Sequence, residues 1–430
     1  MSFAACTIAS PNYLHFARTL AASFVAQHPE QRFFVLIVAD LTDPAPFRFD
    51  PHFTPVMLGE LGLADLRVEA MKYDILELNT NVKPSFMKHL MAKYKLDGLV
   101  YLDPDILVYA PLAPVFDALG EGATAVLTPH MTTPIFDGCL PGEQDLLYNG
   151  TYNLGFIGIG NTPEGGRLLD WWEHRCLALG FSEGRTGLFV DQKWINLVPG
   201  LFDRVVISRD AGLNMAYWNL HERALIGGER GPRVESPVSG DVPLRFFHFS
   251  GIELEAADVL SRHTDRFTLA ERPDLKQIFA EYKAKVLANR TPVAEALPYG
   301  FDHFSDGITV TRLARRLFAA HLSRFTNKGG NSPDPFQAAG AFARFAQTQG
   351  LVKGTVAPAK STWKQFDPAD RRVKAVHRLL RWVLRVLGPH RYELLMRYLA
   401  FISVLRHQGA FLRDPRWVER SDAPDTHAAE

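Results

Sequence analysis

Residues 99–109 have the sequence Leu-Val-Tyr-Leu-Asp-Pro-Asp-Ile-Leu-Val-Tyr, in which two carboxylates stand where a run of large apolar residues breaks off. The apolar run predicts a buried strand that ends at a sheet edge. Side chains two apart in extended backbone point to the same side, so Asp103 and Asp105 can converge on one small, hard cation. Pro104 offers no ladder hydrogen bond, which is typical of a strand terminus. Because open α/β sheets bind ligands at the carboxyl ends of strands, this pattern indicates a divalent-metal site.

Strand-like and helix-like patterns alternate over the first 250 residues. Uniformly apolar runs predict strands at 3–8, 33–39, 123–127, 156–159, 205–207 and 245–249. Amphipathic stretches predict helices at 13–27, 86–94 and 167–179. Apolar strands separated by helices imply a Rossmann-like α/β fold, with a mostly parallel sheet covered by helices on both faces.

Helical periodicity replaces the β-branched runs beyond about residue 260. Polar, Gly- and Pro-rich segments at 327–335 and 353–370 predict linkers, and the last predicted helices are 369–387 and 390–407. We therefore expect a catalytic domain at 1–260, a helical extension at 261–330, and an α-helical region at 331–430 that contains a basic amphipathic helix.

Charge is balanced overall, with 47 Lys and Arg against 47 Asp and Glu, but residues 371–420 hold twelve basic residues against three acids. The basic residues of the first predicted C-terminal helix recur every three or four positions, opposite an apolar stripe. Two interpretations stay open. The segment 371–407 contacts a membrane peripherally, or its apolar stripe packs on the catalytic domain and its arginines are solvated. Nucleic acid is not an indicated partner, since few aromatics interleave with the basic stripe.

Cysteine content and the amino terminus bear on the compartment. Three widely spaced cysteines indicate neither a disulfide framework nor a zinc cluster, and favour a reducing compartment. The first residues lack a basic leader region, and no uncharged apolar stretch reaches the ~18 residues of a membrane span. We expect a cytoplasmic protein, or a peripheral one at the inner face of the membrane.

Four further fragments place polar side chains at the ends of predicted elements. They are Asn153-Leu-Gly155, Asp191-Gln192, Tyr217-Trp-Asn219 and His248-Phe-Ser-Gly251. An amide and a glycine let a sugar ring approach the backbone closely, and an imidazole at a strand end can complete a metal shell. Each fragment alone also fits a turn, a helix cap or a packed core residue.

Taken in order, these fragments resemble the GT-A glycosyltransferases, most closely the retaining family-8 type that uses uridine-diphosphate sugars. The resemblance covers residues 1 to 255 and includes Ala9-Ser-Pro-Asn-Tyr13 after the first strand. It implies that the protein transfers a sugar, with retention, from a UDP-hexose to a glycan or lipid-linked acceptor. It also implies Mn²⁺ or Mg²⁺ as cofactor.

The resemblance assigns roles to individual residues. The implied metal ligands are Asp103, Asp105 and His248. The implied catalytic residues around the donor sugar are Asn153, Asp191 and Gln192. The implied donor-binding residues are Ala9, Asn12, Tyr13, Lys88, Asp103, Asn153 and Gly251, of which Asn12 would line the uracil pocket.

Two positions depart from the family pattern. Ser10 stands where the family has an acid, and Leu254 stands where it has a lysine that contacts the diphosphate, so Lys83, Lys193 or Arg262 would have to supply that contact. The sequence names neither the sugar nor the acceptor, whose pocket would involve residues 128–148 and residues beyond 255. Two other functions stay open: a phosphohydrolase of the haloacid-dehalogenase type, which also carries Asp-x-Asp after a strand, and a non-catalytic sugar-nucleotide or glycan-binding scaffold.

Overall fold

The protein divides into two units. The first comprises Met1–Leu63 and Ile75–Gly300, and the second comprises Ala64–Asp74 and Phe301–Glu430. The computed structural model describes residues 1–41, 47, 50–228, 231–256, 258–327, 331–354 and 369–411. Of the predicted linker at 353–370, residues 355–368 lie outside the described part.

All the described strands belong to the first unit. They are β1 (Phe3–Ala9), β2 (Arg32–Ile37), β3 (Thr54–Met57), β4 (Gly98–Leu102), β5 (Ile106–Val108), β6 (Ala125–Leu127), β7 (Phe156–Gly160), β8 (Ser182–Glu183), β9 (Leu188–Phe189), β10 (Val205–Ile207), β11 (Ala224–Ile226), β12 (Arg233–Ser236), β13 (Gly240–Pro243) and β14 (Phe246–His248).

The helices lie between these strands and after them. They are α1 (Leu14–Gln27), α2 (Leu66–Lys72), α3 (Ile75–Asn81), α4 (Lys83–Tyr94), α5 (Ala113–Gly120), α6 (Glu143–Asn149), α7 (Pro163–Leu179), α8 (Val198–Leu201), α9 (Lys276–Ala288), α10 (Pro292–Glu295), α11 (Arg312–Ala320), α12 (Ala341–Thr348) and α13 (Arg371–Ile402). Short 3₁₀ helices span Pro11–Tyr13, Leu58–Leu61, Gly184–Thr186, Lys193–Leu197, Tyr217–Asn219, Pro273–Leu275, Leu322–Arg324 and Leu405–Phe411.

Seven strands form the central sheet, in the order β10-β6-β7-β4-β1-β2-β3. All neighbouring pairs are parallel except those that involve β7, which runs antiparallel to β4 and to β6. The carboxyl ends of β1, β4 and β6 therefore meet the amino end of β7 at one sheet edge. The predicted mostly parallel α/β sheet is confirmed.

Helices cover both faces of this sheet, as two adjacent residues of β2 show. The ring of Phe33 packs against Phe24 of α1 with centroids 5.3 Å apart, whereas the ring of Phe34 packs against Tyr94 of α4 at 4.5 Å. Successive side chains of a strand point to opposite faces. Both faces must therefore be apolar, which explains why the strands carry uninterrupted apolar runs.

A small second sheet brings a distant segment to the edge where β4 ends. Strand β14 pairs antiparallel with β5, with His248 opposite Ile106. The Phe249 amide donates to the Asp105 carbonyl at 2.9 Å, which continues this pairing by one residue. The register therefore fixes His248 beside the Asp-Pro-Asp turn.

The second unit is helical, as predicted for the C-terminal region. Arg315 of α11 is buried and donates hydrogen bonds to the carbonyls of Ala70 and Tyr73 at 2.7 and 2.9 Å, which ties residues 64–74 to the later part of this unit. Helix α13 is interrupted at Gly388, whose φ of 74° is not helical and which precedes Pro389. Over the described residues, no helix is long and apolar enough to cross a membrane.

Candidate functional site

Asp103, Asp105 and His248 form a group whose three candidate ligand atoms all lie within 4.8 Å of one another. The His248 Nε2 atom is 2.9 Å from an Asp105 oxygen and 3.8 Å from an Asp103 oxygen. The imidazole is buried, whereas the two carboxylates are partly open to solvent. The structure therefore brings together the three residues that were expected to be metal ligands.

Asn214 fixes the orientation of the His248 ring. Its Nδ2 donates to Thr128 Oγ1 at 2.9 Å and to Asn153 Oδ1 at 3.0 Å, which leaves its Oδ1 facing His248 Nδ1 at 3.3 Å. This network assigns the Nδ1 proton to the bond with Asn214, so that Nε2 is the atom that would offer a lone pair to a cation held between the ring and the carboxylates. Asn214 adopts a left-handed backbone conformation, with φ of 56°.

Gly155 provides the space that the His248 ring occupies. A Cβ atom at position 155 would lie 2.3 Å from His248 Cε1 and 2.8 Å from Asn153 Oδ1. Neither neighbour is free to move, since both belong to the hydrogen-bond network around Asn214. Trp218 closes the other side, with its ring edge-on to the imidazole at 5.1 Å.

The pKa values of the group reflect the attraction between the imidazole and the two carboxylates. Burial lowers the pKa of His248, but the carboxylates of Asp105 and Asp103 raise it above its ordinary value. Burial raises the pKa of Asp105, yet its interaction with His248 holds that pKa below the ordinary value. Two carboxylate oxygens and one imidazole nitrogen at this spacing are a donor set that could hold a divalent metal ion.

A buried ion pair lies next to this group. Lys83 Nζ is 2.6 Å from an Asp191 oxygen, and both side chains are 2% exposed. The same ammonium donates to the Leu154 carbonyl at 2.8 Å and stands 4.0 Å from the ring centroid of Tyr101. The Tyr101 hydroxyl in turn donates to Asp103 at 2.8 Å. Asp191 is therefore linked to the candidate metal ligands through a lysine and a tyrosine.

The Asp191 carboxyl is buried against a single cationic side chain, Lys83. Burial raises its pKa above the ordinary value, and the neighbouring Lys83 ammonium opposes that rise. Asp191 precedes the 3₁₀ helix Lys193–Leu197, where the sequence predicts a helix start.

Two amide side chains border the same edge. Gln192 accepts from the Leu154 amide at 3.0 Å and donates to the Asn149 carbonyl at 3.0 Å. Asn153 Oδ1 accepts from the Gly155 amide at 3.1 Å, and its Nδ2 faces His130 Nε2 at 3.2 Å. Burial lowers the pKa of His130 to about 4, so its ring is neutral and can accept that hydrogen bond.

The residues after β1 form the 3₁₀ helix Pro11–Tyr13. Ala9 is buried, Asn12 accepts a hydrogen bond from Ser10 Oγ at 2.6 Å, and the ring of Tyr13 is partly exposed and stacked on Phe16. They stand at the carboxyl end of a strand next to β4, where the sequence places the base-binding residues.

Two other predicted donor residues have different surroundings. Gly251 has a φ of 74°, and a Cβ there would lie 2.5 Å from the His263 ring, so only glycine fits this approach. Lys88 makes ion pairs with Asp170 at 2.7 Å and Glu173 at 2.5 Å, both on α7. The cation beside Asp191 is Lys83 instead.

Two buried ionic side chains anchor the loop 128–148. Glu222 accepts from the amides of Thr132 and Thr133, and Arg266 makes an ion pair with Asp137 at 2.8 Å. The Arg266 guanidinium also donates to the Pro141 carbonyl at 2.8 Å. These contacts hold the loop while leaving apolar side chains, among them Phe136 and Leu147, exposed.

Sequence reasoning missed Asn214 and His130 as parts of the site. Neither stands in a local pattern, because their partners are 34 and 23 residues away along the chain. The one available signal is the residue type at 214, since asparagine is enriched where a non-glycine residue adopts positive φ.

No protein-family model matches the chain. Two curated relatives from Bacillus subtilis (strain 168) are uncharacterised proteins: YfnD, 26% identical over 60% of this chain and 78% of its own length, and YfnF, 24% identical over 65% and 91%. Among solved structures, the galactosyltransferase LgtC in complex with donor and acceptor sugar analogues aligns with 66% of this chain and 95% of its own, at 16% identity and a TM-score of 0.39. At these values the likeness does not establish a shared activity.

Proposed function

We propose that this protein is a metal-dependent GT-A glycosyltransferase that moves a hexose from a nucleoside diphosphate, with uridine diphosphate as the leaving nucleotide, to a glycan or lipid-linked acceptor. The observation that carries the proposal is the joint placement of Asp103, Asp105 and His248 at the edge where β4 ends. Near it lie Asp191, Gln192 and Asn153, the residues to which the family resemblance assigns contacts with the donor sugar.

The proposed metal ligands are Asp103, Asp105 and His248, with Asn214 holding the histidine tautomer. A bound dication would stabilise the negative charge that grows on the leaving diphosphate, and thereby take the place of a general acid. Tyr101 donates a hydrogen bond to Asp103 and so orients that carboxylate. Because Gly155 has no side chain, the His248 ring can lie against its backbone.

The proposed role of Asp191 follows from its charge and burial. As the sugar–phosphate bond breaks, positive charge develops on the sugar ring, and an anionic carboxylate in a low-dielectric pocket stabilises that charge strongly. Lys83 favours the anionic form of Asp191 that this role needs. The amides of Gln192 and Asn153 would bind the sugar hydroxyls, and retention would require the acceptor to form its bond on the ring face that the diphosphate leaves.

The acceptor would contact the loop 128–148. Exposed apolar side chains such as Phe136 and Leu147 offer contact area for an acceptor with an apolar portion, which supports a lipid-linked glycan. Glu222 and Arg266, which anchor this loop, would hold it in position for the acceptor.

The test compares the wild-type chain with Asp105→Asn and with Asp117→Asn, an exposed acid on α5 that serves as a matched control. Mn²⁺ binding is followed by electron paramagnetic resonance, and slow hydrolysis is screened over a panel of nucleotide sugars with and without a chelator. We expect Mn²⁺ binding and metal-dependent hydrolysis of one donor in the wild type and control. In Asp105→Asn we expect both the Mn²⁺ affinity and the rate of metal-dependent hydrolysis to fall by at least about 100-fold.

Three results would overturn the proposal. Phosphate release from simple monoesters would indicate the phosphohydrolase. Donor binding without turnover would indicate the scaffold. Turnover unaffected by the chelator and by Asp105→Asn would remove the metal from the chemistry.

A further inference from the structure

Helix α13 exposes large apolar side chains over its whole length. None of its residues is buried, and the exposed fractions of Val376, Leu379, Trp382 and Val386 are 53%, 57%, 61% and 60%. Among the described residues, nothing covers these side chains. The second half of the helix shows the same property, since Leu394, Tyr398 and Phe401 are each more than half exposed.

Apart from Arg372, which falls within the apolar arc, the apolar and basic side chains of the first half occupy separate arcs of the helix. At 3.6 residues per turn, the apolar residues between 373 and 387 cover an arc of about 200°. Arg371, Lys374, Arg378, Arg381 and Arg385 fall within an arc of about 80° on the other side. No acid occurs between residues 371 and 392. Such a broad apolar face flanked by uncompensated cations is the pattern of a helix that lies in a membrane interface.

The charge of α13 favours a lipid surface over a second copy of this chain as the partner that covers its apolar face. Pairing two copies through the apolar face would bring two basic arcs together, and like charges repel at that distance. An anionic bilayer instead receives the apolar side chains in its acyl region and the cations among its headgroups. Trp382 lies at the edge of the apolar arc next to the basic arc, where an amphipathic ring meets the headgroup level.

We propose that α13 binds the surface of an anionic bilayer, with Val376, Leu379, Trp382 and Val386 inserted and Arg378 and Arg385 at the lipid phosphates. The helix lies in the plane of the interface and does not span it. The interruption at Gly388 lets the two halves follow the surface independently. This inference does not rest on the proposed function.

Sedimentation of the full chain with vesicles tests the inference. The vesicles contain either phosphatidylcholine alone or phosphatidylcholine with 30% phosphatidylglycerol, a composition chosen to supply about one anionic headgroup in three. The charge variant is Arg378→Glu/Arg385→Glu, and its matched control is Lys276→Glu/Lys285→Glu on exposed positions of α9. A second pair, Trp382→Gln and the control Leu287→Gln, tests insertion.

We expect the wild type and both controls to bind the anionic vesicles and to bind phosphatidylcholine far more weakly. The double charge variant should lose at least about tenfold in partitioning, since each basic residue near an anionic surface contributes about that order of affinity. Added salt should weaken binding, and Trp382→Gln should lower it several-fold at any salt concentration.

Equal binding by the charge variant and its control would overturn the inference, as would negligible binding of the wild type to anionic vesicles. Sedimentation without vesicles gives a further check. Self-association of the wild type that is lost in Trp382→Gln would assign the face to a second copy. Binding to an oligonucleotide in preference to vesicles would assign the basic arc to nucleic acid.

Discussion

The His248 ring has almost no freedom, because Asn214, Gly155 and Trp218 surround it on separate sides. The partly exposed carboxylates of Asp103 and Asp105 lie on the Nε2 side of the ring, and these three residues lie on its other sides. A ligand held this rigidly needs no reordering when a cation binds. The candidate site therefore depends on residues that contribute no candidate ligand atom themselves.

The closest of these constraints gives a prediction at position 155. Gly155→Ala places a methyl group where the His248 ring now lies, so the ring must turn away from Asp103 and Asp105. We expect Mn²⁺ affinity to fall by at least about tenfold, as for loss of other supporting groups around metal ligands. Titration followed by electron paramagnetic resonance measures it.

Gly166→Ala is the matched control, since a Cβ there would meet no atom within 4 Å. Because position 166 is inside α7, alanine should leave metal affinity unchanged and stabilise the chain by about 0.5–1 kcal/mol. Unchanged affinity in Gly155→Ala would show that His248 is not a ligand.

At the level of single residues, the sequence predicts the site residues that belong to motifs. It does not predict contacts that depend on how a helix is rotated about its axis. Asp103, Asp105 and His248 belong to motifs with fixed positions at strand ends. Lys83 and Lys88 are five residues apart on α4, which turns the two side chains about 140° from each other. Sequence alone does not give the rotation of that helix, so it did not show that Lys83 pairs with Asp191; the donor-binding role of Lys88 stays a prediction.

At the level of elements, His28 joins the end of α1 to the start of α5. The Leu112 amide donates to His28 Nε2 at 3.1 Å, and the ring lies against Phe24 and Phe116. A nitrogen that accepts a hydrogen bond cannot be protonated, and burial lowers the pKa of His28 from 6.5 to about 4. This contact therefore needs the neutral ring.

The sign of the resulting pH dependence follows from proton uptake. Below pH 6.5 the unfolded chain binds a proton at His28 that the folded chain does not bind until about pH 4. The free energy of unfolding should therefore fall as the pH drops through this window, with a contribution from His28 of up to about 3 kcal/mol. His28→Gln, whose carbonyl can still accept from Leu112, should show a correspondingly shallower fall.

Urea unfolding at pH 7, 5.5 and 4.5 measures this difference between wild type and variant. The exposed His52→Gln provides the control and should follow the wild-type slope. If the curves of wild type and His28→Gln run parallel, the neutral ring does not couple these two helices.

The strands themselves were predictable because burial on both faces requires continuous apolar runs. Their directions were not all predictable, since a buried run has the same composition whichever way it points. Strand β7 is antiparallel to β4 and β6, and this reversal brings Asn153, three residues before its first residue, to the edge where Asp103 follows β4. The pairing of β14 with β5 is equally invisible in sequence, because it joins segments about 140 residues apart.

At the level of the whole molecule, α9 completes the core that supports His248. The Phe249 and Tyr282 rings stack at 3.8 Å, and Phe279 packs edge-on against Phe247. The sequence places a domain boundary near residue 260, where β-branched runs stop. In the structure α9 follows that position and belongs to the first unit.

Truncation gives the corresponding prediction. A chain that ends after residue 260 loses the buried side chains of Ile278, Phe279, Tyr282 and Val286. At about 2 kcal/mol for each large apolar side chain, the loss is of the order of the entire stability of a domain. We expect no cooperative thermal transition by circular dichroism for this piece.

A chain that ends after residue 300 is the comparison. It retains α9 and should show a cooperative transition, while residues 64–74 lose Arg315 and become sensitive to protease. Cooperative unfolding of the shorter piece would place the boundary near 260 after all.

The separation of residues 64–74 from the rest of their unit also affects synthesis. These residues emerge from the ribosome 227 residues before Phe301, the first later residue of the same unit (301 − 74 = 227). At about 5–20 residues per second, the delay is roughly 10–50 s. During that interval the segment lacks the later part of its unit, including Arg315, and slowed translation should lengthen its exposure.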